Sequence, residues 1–402
     1  MRKPSAWLVA LAAIVKATQA DSADTLVKIG VLTDMSSIFS ENTGEGSVLA
    51  AKLAVEDFAK QMPGVKAEVI SADHQNKADN GANIARKWID VEHVDVIVDV
   101  PNSAVALAVN NIVKETNKVM LVSGAGLSDL TGKQCSPNTV HWTYDTWMAA
   151  SALGRSLTEG AGDTFFFITA DYAFGHALER DLREAIVKRD GRVLGRASHP
   201  INASDFSSFI LQAQSSKAKF IVLANGGADT VNSIKQAHEF GLTKGGQKIA
   251  ALIVGLPDVH ALGPEASQGL LYVVPWYWNR DEGTRAFAQR FSERRPKHNY
   301  PTYHQAGVYS AVYNYLKTVS ATGNAGGAAA VAKMKENPTN DPVFGEGRIR
   351  QDGRKVHPVY LMQVKMPAES KSTWDYEKVI ATVGAEEAFR PLQEGGCPLV
   401  NP

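Results

Sequence analysis

Val27-Lys28-Ile29-Gly30-Val31-Leu32 runs into Thr33-Asp34-Met35-Ser36-Ser37, an apolar strand that ends in small, hydrogen-bonding residues. The same join recurs twice. Val94-Asp95-Val96-Ile97-Val98-Asp99-Val100 ends in Pro101-Asn102-Ser103, and Val119-Met120-Leu121-Val122 ends in Ser123-Gly124-Ala125-Gly126. Between these strands lie helically spaced apolar sets, such as Val48, Leu49, Leu53 and Phe58, or Val105, Val109, Ile112 and Val113. Strands separated by helices pair in parallel, so all three carboxyl ends face one sheet edge. Open α/β sheets bind ligands at that edge. Free N–H groups and hydroxyls there suit a carboxylate or another small polar head.

The logic then repeats. Thr164-Phe165-Phe166-Phe167-Ile168-Thr169 ends in Ala170-Asp171-Tyr172 and feeds a helix over residues 174–188. Phe220-Ile221-Val222-Leu223-Ala224 ends in Asn225-Gly226-Gly227, and a strand over 249–254 ends in Gly255-Leu256-Pro257-Asp258. Further helices are predicted over 284–295, 305–321 and 328–335, with a late strand over 360–364. A chain of 402 residues exceeds one ordinary core, so two α/β lobes are expected.

Composition narrows the function. Lys+Arg and Asp+Glu are equal at 42 each, which gives no basic groove for nucleic acid and no polybasic membrane surface. Arg2-Lys3, the apolar run 6–15 and Ala17-Thr18-Gln19-Ala20 read as a secretory leader over residues 1–20, and the run is too short to span a bilayer. In an exported chain the two cysteines, Cys135 and Cys397, are expected to form a disulfide. Enzyme signatures fail on spacing. Ser123-Gly124-Ala125-Gly126 is followed by Asp129 where a dinucleotide loop needs its third glycine, and there is no G-x-S-x-G elbow. The ten histidines include no H-x-x-x-H pair, so no metal site and no cofactor are expected.

With Ile29-Gly30-Val31-Leu32-Thr33, the Asp171-Tyr172-Ala173-Phe174-Gly175 turn and two successive α/β runs, the chain resembles the branched-chain amino-acid (leucine–isoleucine–valine) binding family of ABC importers, over roughly residues 26–397. The resemblance implies a type I periplasmic binding protein: two Rossmann-like lobes with parallel sheets, three crossovers and ligand in the cleft. Lobe one would be 26–143 plus 276–345, and lobe two 144–275 plus 346–402. It further implies a periplasmic protein, a non-enzymatic receptor, that delivers an amino acid or related carboxylate to an ABC permease and ATPase. The same fold also serves ligand sensing for a signalling partner. Carried over residue by residue, the ligand set is Ser36 and Phe39 from the first loop; Asn102 and Ser103 at the helix after the third strand; and Ser123, Gly124 and Ala125 in the next loop. Tyr144 at the first crossover, Tyr172, Asn225, Gly226 and Asp258 complete it. Two features depart from the family pattern: glycines at 226–227 replace a side chain, and the acid that would receive an ammonium is an Asp. These departures leave room for an aromatic carboxylate or a small amide as ligand.

Overall fold

The computed structural model describes residues 25–62 and 64–400, so the leader expected over 1–20 lies outside the described residues. The first α/β run gives β1 (Thr25–Thr33), α1 (Gly44–Gln61), β2 (Val65–Asp73), α2 (Ala78–Asp90), β3 (Val96–Asp99), α3 (Ser103–Glu115), β4 (Val119–Val122) and β5 (Thr139–His141). Among the described residues these strands form a five-stranded parallel sheet in the order β2-β1-β3-β4-β5. Every residue of β3 and β4 is buried, as expected for strands covered by helices on both faces.

The second run gives α4 (Thr146–Leu157), β6 (Thr164–Ala170), α5 (Ala173–Val187), β7 (Arg192–His199), α6 (Ser207–Ser215), β8 (Phe220–Ala224), α7 (Ala228–Glu239), β9 (Lys248–Ala251), α8 (Leu256–Leu262) and α9 (Pro264–Ser267). Its four strands pair in parallel in the order β7-β6-β8-β9. The chain then runs through β10 (Leu271–Val274), α10 (Glu282–Glu293), α11 (Tyr303–Thr322) and α12 (Gly327–Glu336). It finishes with β11 (Arg348–Ile349), β12 (Lys355–Val356), β13 (Val359–Val364), β14 (Glu377–Val383) and α13 (Ala385–Ala388). Helix α11 returns to the first sheet and packs on α1 and β3. Strands β10, β13 and β14 make an antiparallel sheet beside the second.

The chain therefore passes between the two bodies three times: after β5, after β10, and through β11 and β12. Buried charge ties the first and third passages together. Arg354 is fully buried, donates to the carbonyls of Thr143 and Tyr144 and lies 3.6 Å from the Asp145 carboxylate. Its guanidinium also sits 4.4 Å from the centre of the Phe389 ring. Cys135 and Cys397 are joined in a disulfide with their Cα atoms 5.6 Å apart. No helix among the described residues is long and apolar enough to cross a membrane.

Candidate ligand site

The carboxyl ends of both parallel sheets face each other, and the loops between them close on a cavity of about 10 Å³. That is roughly the space one water needs. The first body supplies Phe39, Asn42, Thr43, Pro101, Gly124, Tyr303 and His304 to its wall; Tyr144 follows from the first passage, and the second body adds Phe174, Gly227, Ile253, Gly255 and Asp258.

Local chemistry sets each wall. Buried Asp34 ends β1 and accepts the N–H groups of Ser36, Ser37 and Phe39, which curls the loop and delivers Phe39 to the cavity. The start of α11 is fixed by a capping box: Thr302 Oγ1 accepts the Gln305 N–H and Gln305 Oε1 accepts the Thr302 N–H. This presents Tyr303 and His304, whose rings meet the Tyr144 ring edge-on at 5.4 and 5.2 Å. The Tyr144 hydroxyl donates to the Gly124 carbonyl at 3.1 Å. Burial holds His304 down to about 4, so it is a neutral ring.

Asp258 is the one carboxylate on this wall, which carries neither Lys nor Arg. It is the third residue of α8, and its Oδ2 accepts the Gly255 N–H at 2.7 Å. Its Oδ1 accepts Asn42 Nδ2 at 3.0 Å, across from the first body. Burial pushes the carboxyl up to about 6, against the lowering effect of these two donors.

The remaining sequence-expected residues sit in other surroundings. Ser36 is exposed and donates to Asp73. Asn102 caps α3, its Oδ1 accepting from the Ala104 and Val105 N–H groups. Ser103 and Ser123 are buried, and neither hydroxyl has a protein partner. Ser123 Oγ faces α11 near Gly307 rather than the cavity. The N–H groups of Ser123 and Gly124 both donate to the Asp99 carbonyl, at 3.2 and 2.9 Å. That carbonyl is brought round by positive φ at Asp99 (78°) and Val100 (52°), a strained turn at the sheet edge. Ala125 is buried, with its carbonyl against His141 Nε2. Tyr172 is the half-buried N-cap of α5, and Phe174 two residues on reaches the cavity. Asn225 is turned inward to His199, Thr230 and Ser233. Gly226 lies behind the wall, where an added Cβ would touch Phe39 and Phe174 at ordinary distance.

Sequence reasoning missed Asn42, Phe174, Tyr303 and His304. The Thr302-x-x-Gln305 capping signature was the one available signal for the last two.

The family description "periplasmic binding protein" matches residues 26–372. A periplasmic binding protein from Burkholderia mallei is 48% identical over 94% of this chain and 99% of its own, with a TM-score of 0.90. A branched chain amino acid ABC transporter periplasmic ligand-binding protein from Burkholderia xenovorans LB400 is 39% identical over 93% of this chain and 100% of its own, with a TM-score of 0.81. A solute binding protein of an ABC transporter from Rhodopseudomonas palustris BisB5, in complex with 3,4-dihydroxy benzoic acid, shares the fold at 20% identity. It covers 90% of this chain and 98% of its own, with a TM-score of 0.79. No curated protein sequence matches this chain. The chain belongs to the periplasmic binding protein family and is the substrate-binding component of an ABC importer, with its small organic ligand taken between two α/β lobes.

Proposed function

We propose that this protein carries an amino acid to an ABC permease and ATPase, with the ligand's ammonium on Asp258 and its carboxylate near Ser103. The observation that carries this reading is Asp258: a buried acid on the cavity wall with only neutral donors beside it. A buried charge of that kind calls for an opposite charge. The buried Ser103 hydroxyl, which has no protein partner, supports the carboxylate end; Ser123 Oγ, turned toward α11, does not. The lobes are 26–143 plus 276–345 and 144–275 plus 346–402, and ligand favours their closed arrangement. Residues 1–20 act as the export leader, and the protein performs no catalysis of its own.

The aromatic walls, Phe39, Tyr144, Phe174 and Tyr303, support a second reading in which the ligand is an aromatic carboxylate. Calorimetry with L-leucine, 4-hydroxybenzoate and benzamide separates the two. For an amino-acid ligand, Asp258→Asn cuts affinity strongly. For a plain carboxylate the same change is nearly neutral, and loss of an aromatic ring dominates.

A further inference from the structure

The C-terminal tail leaves the second body and ends covalently on the first. After β14, helix α13 packs on α4, where Glu387 pairs with Arg155. Phe389 then lies against Arg354 of the third passage, and the Arg390 carbonyl accepts Arg350 Nη1 at 2.8 Å. A 3-10 turn, Leu392–Glu394, follows, and Cys397 joins Cys135. Cys135 belongs to the first body. The Gln134 carbonyl before it accepts Asn110 Nδ2 of α3 at 2.9 Å, and the chain then enters β5 of the first sheet. The tail lies close on this segment: a Cβ added at Gly132 would stand 2.7 Å from the Gly395 carbonyl oxygen.

The same flank carries direct contacts between the bodies. Ser128 of the first donates to Asp181 of α5 at 2.7 Å, and Asp129 lies 3.1 Å from Arg180. Arg390 of the tail touches both sides, 3.4 Å from Ser128 Oγ and 3.3 Å from Asp181 Oδ1. Ion pairs as open to water as Arg180–Asp129 hold little by themselves. The covalent tie persists while such contacts break and re-form. Its slack is small, because the stretch between Arg390 and Cys397 lengthens only if the 3-10 turn unwinds. Another edge of the cleft has no covalent tie. There a groove of about 900 Å³ separates Glu41, His298 and Tyr300 of the first body from Pro257, His260 and Trp374 of the second, and none of the flank residues lines it. The Trp278 Nε1–H bond to the Trp374 carbonyl, at 3.1 Å, crosses beside this groove, and it is a single neutral hydrogen bond.

We propose that the tail and its bond to Cys135 act as a fourth connection that clamps one flank of the cleft, so that the lobes part, and solute enters, at the groove beside Glu41 and Trp374. The three passages set where the chain crosses; the clamp sets which edge opens. The proposal does not depend on which solute the cleft takes.

Pulsed electron paramagnetic resonance between spin labels on introduced cysteines tests this, since the bonded native pair takes no label. Asn111→Cys with Val187→Cys reports across the flank, from α3 to α5; Ala261→Cys with Glu293→Cys reports across the groove, from α8 to α10; all four positions are exposed. Each protein is dialysed free of solute in guanidinium, with the bond intact where it exists, and refolded before labelling. With the native bond, the flank pair is expected to give one narrow distance and the groove pair a longer, broader one than the closed structure allows. In Cys135→Ser/Cys397→Ser, loss of the loop constraint is expected to widen the flank distribution about twofold. A second altered protein keeps the bond and gains Gly-Ser-Gly-Ser after Pro391. This slack costs little stability and is expected to widen the flank to the same degree.

The inserted tail separates a clamp from a bond that merely stabilises the fold, because there the bond remains. Far-UV circular dichroism checks folding, and if the serine pair does not fold, the inserted tail carries the test. A flank that is broad with the native bond, a flank that stays narrow in either altered protein, or a groove pair as narrow as the flank pair would each overturn the proposal. Failure of the ligand reading looks different: these distributions hold, but no solute binds in a manner sensitive to Asp258.

Discussion

At the residue scale, Asp258 ties stability and binding to pH. Its carboxyl is raised to about 6 by burial, from the ordinary 3.8. Between those values the folded chain holds a proton that the unfolded chain has lost, so this residue's contribution to stability falls as pH rises through the window. Asp258→Asn removes the dependence. Relative to wild type, its urea midpoint should improve from pH 4 to pH 6.5 by a free energy on the order of 2–3 kcal/mol. Binding runs the other way. An ammonium needs the ionised acid, so calorimetric affinity for an amino-acid ligand should weaken as pH drops below about 6. Ser103→Ala should weaken carboxylate binding by roughly 1–3 kcal/mol, the usual loss for a hydrogen bond to a charged group; unchanged affinity would remove Ser103 from the site. Phe39, Gly124, Tyr144 and Asp258, which the family resemblance implies as ligand contacts, do line the cavity. Asn42 could not be read from the chain. It follows a loop whose path is set by Asp34 gathering three N–H groups, and nothing in the local sequence says that this path crosses to the other lobe.

At the scale of elements, the buried parallel strands and the helices between them were legible because their apolar residues recur at regular spacing. Short or half-exposed elements were not. Strand β5 is three buried residues, Thr139–His141, inside a stretch that reads as loop. Strand β14 turns Val379 and Ile380 outward, so its alternation is masked. Helix α8 begins where the sequence shows only a glycine-containing strand end, and its Pro257 occupies the first turn, where proline costs no hydrogen bond. Helix α3 shows how an element serves the site: Asn102 supplies its cap and so fixes the turn that puts Pro101 on the cavity wall. Asn102→Ala should lower stability by about 1 kcal/mol in denaturant titration, and a negligible change would mean another group caps the helix.

At the scale of the molecule, the order of the joins identified the architecture, since strand, polar mouth and helix repeat in two runs. The stitching of the passages was invisible, because it depends on Arg354 reaching residues more than two hundred positions away. Arg354→Ala strips the Thr143 and Tyr144 carbonyls of a buried donor and leaves Asp145 without its counter-ion. It should cost on the order of 3–5 kcal/mol, measured by thermal or urea unfolding. Reducing the disulfide should cost about 2–5 kcal/mol by the same measure.

The Cys135–Cys397 bond spans 262 positions, and the whole second sheet, the returning helices and all three passages lie between its ends. During synthesis the first thiol therefore waits until the rest of the architecture has been made. The bond cannot steer early assembly. It acts as a closing seal, and chains caught before that seal should be recognisable as a reduced, fully threaded population whose Cys135 still reacts with alkylating reagents.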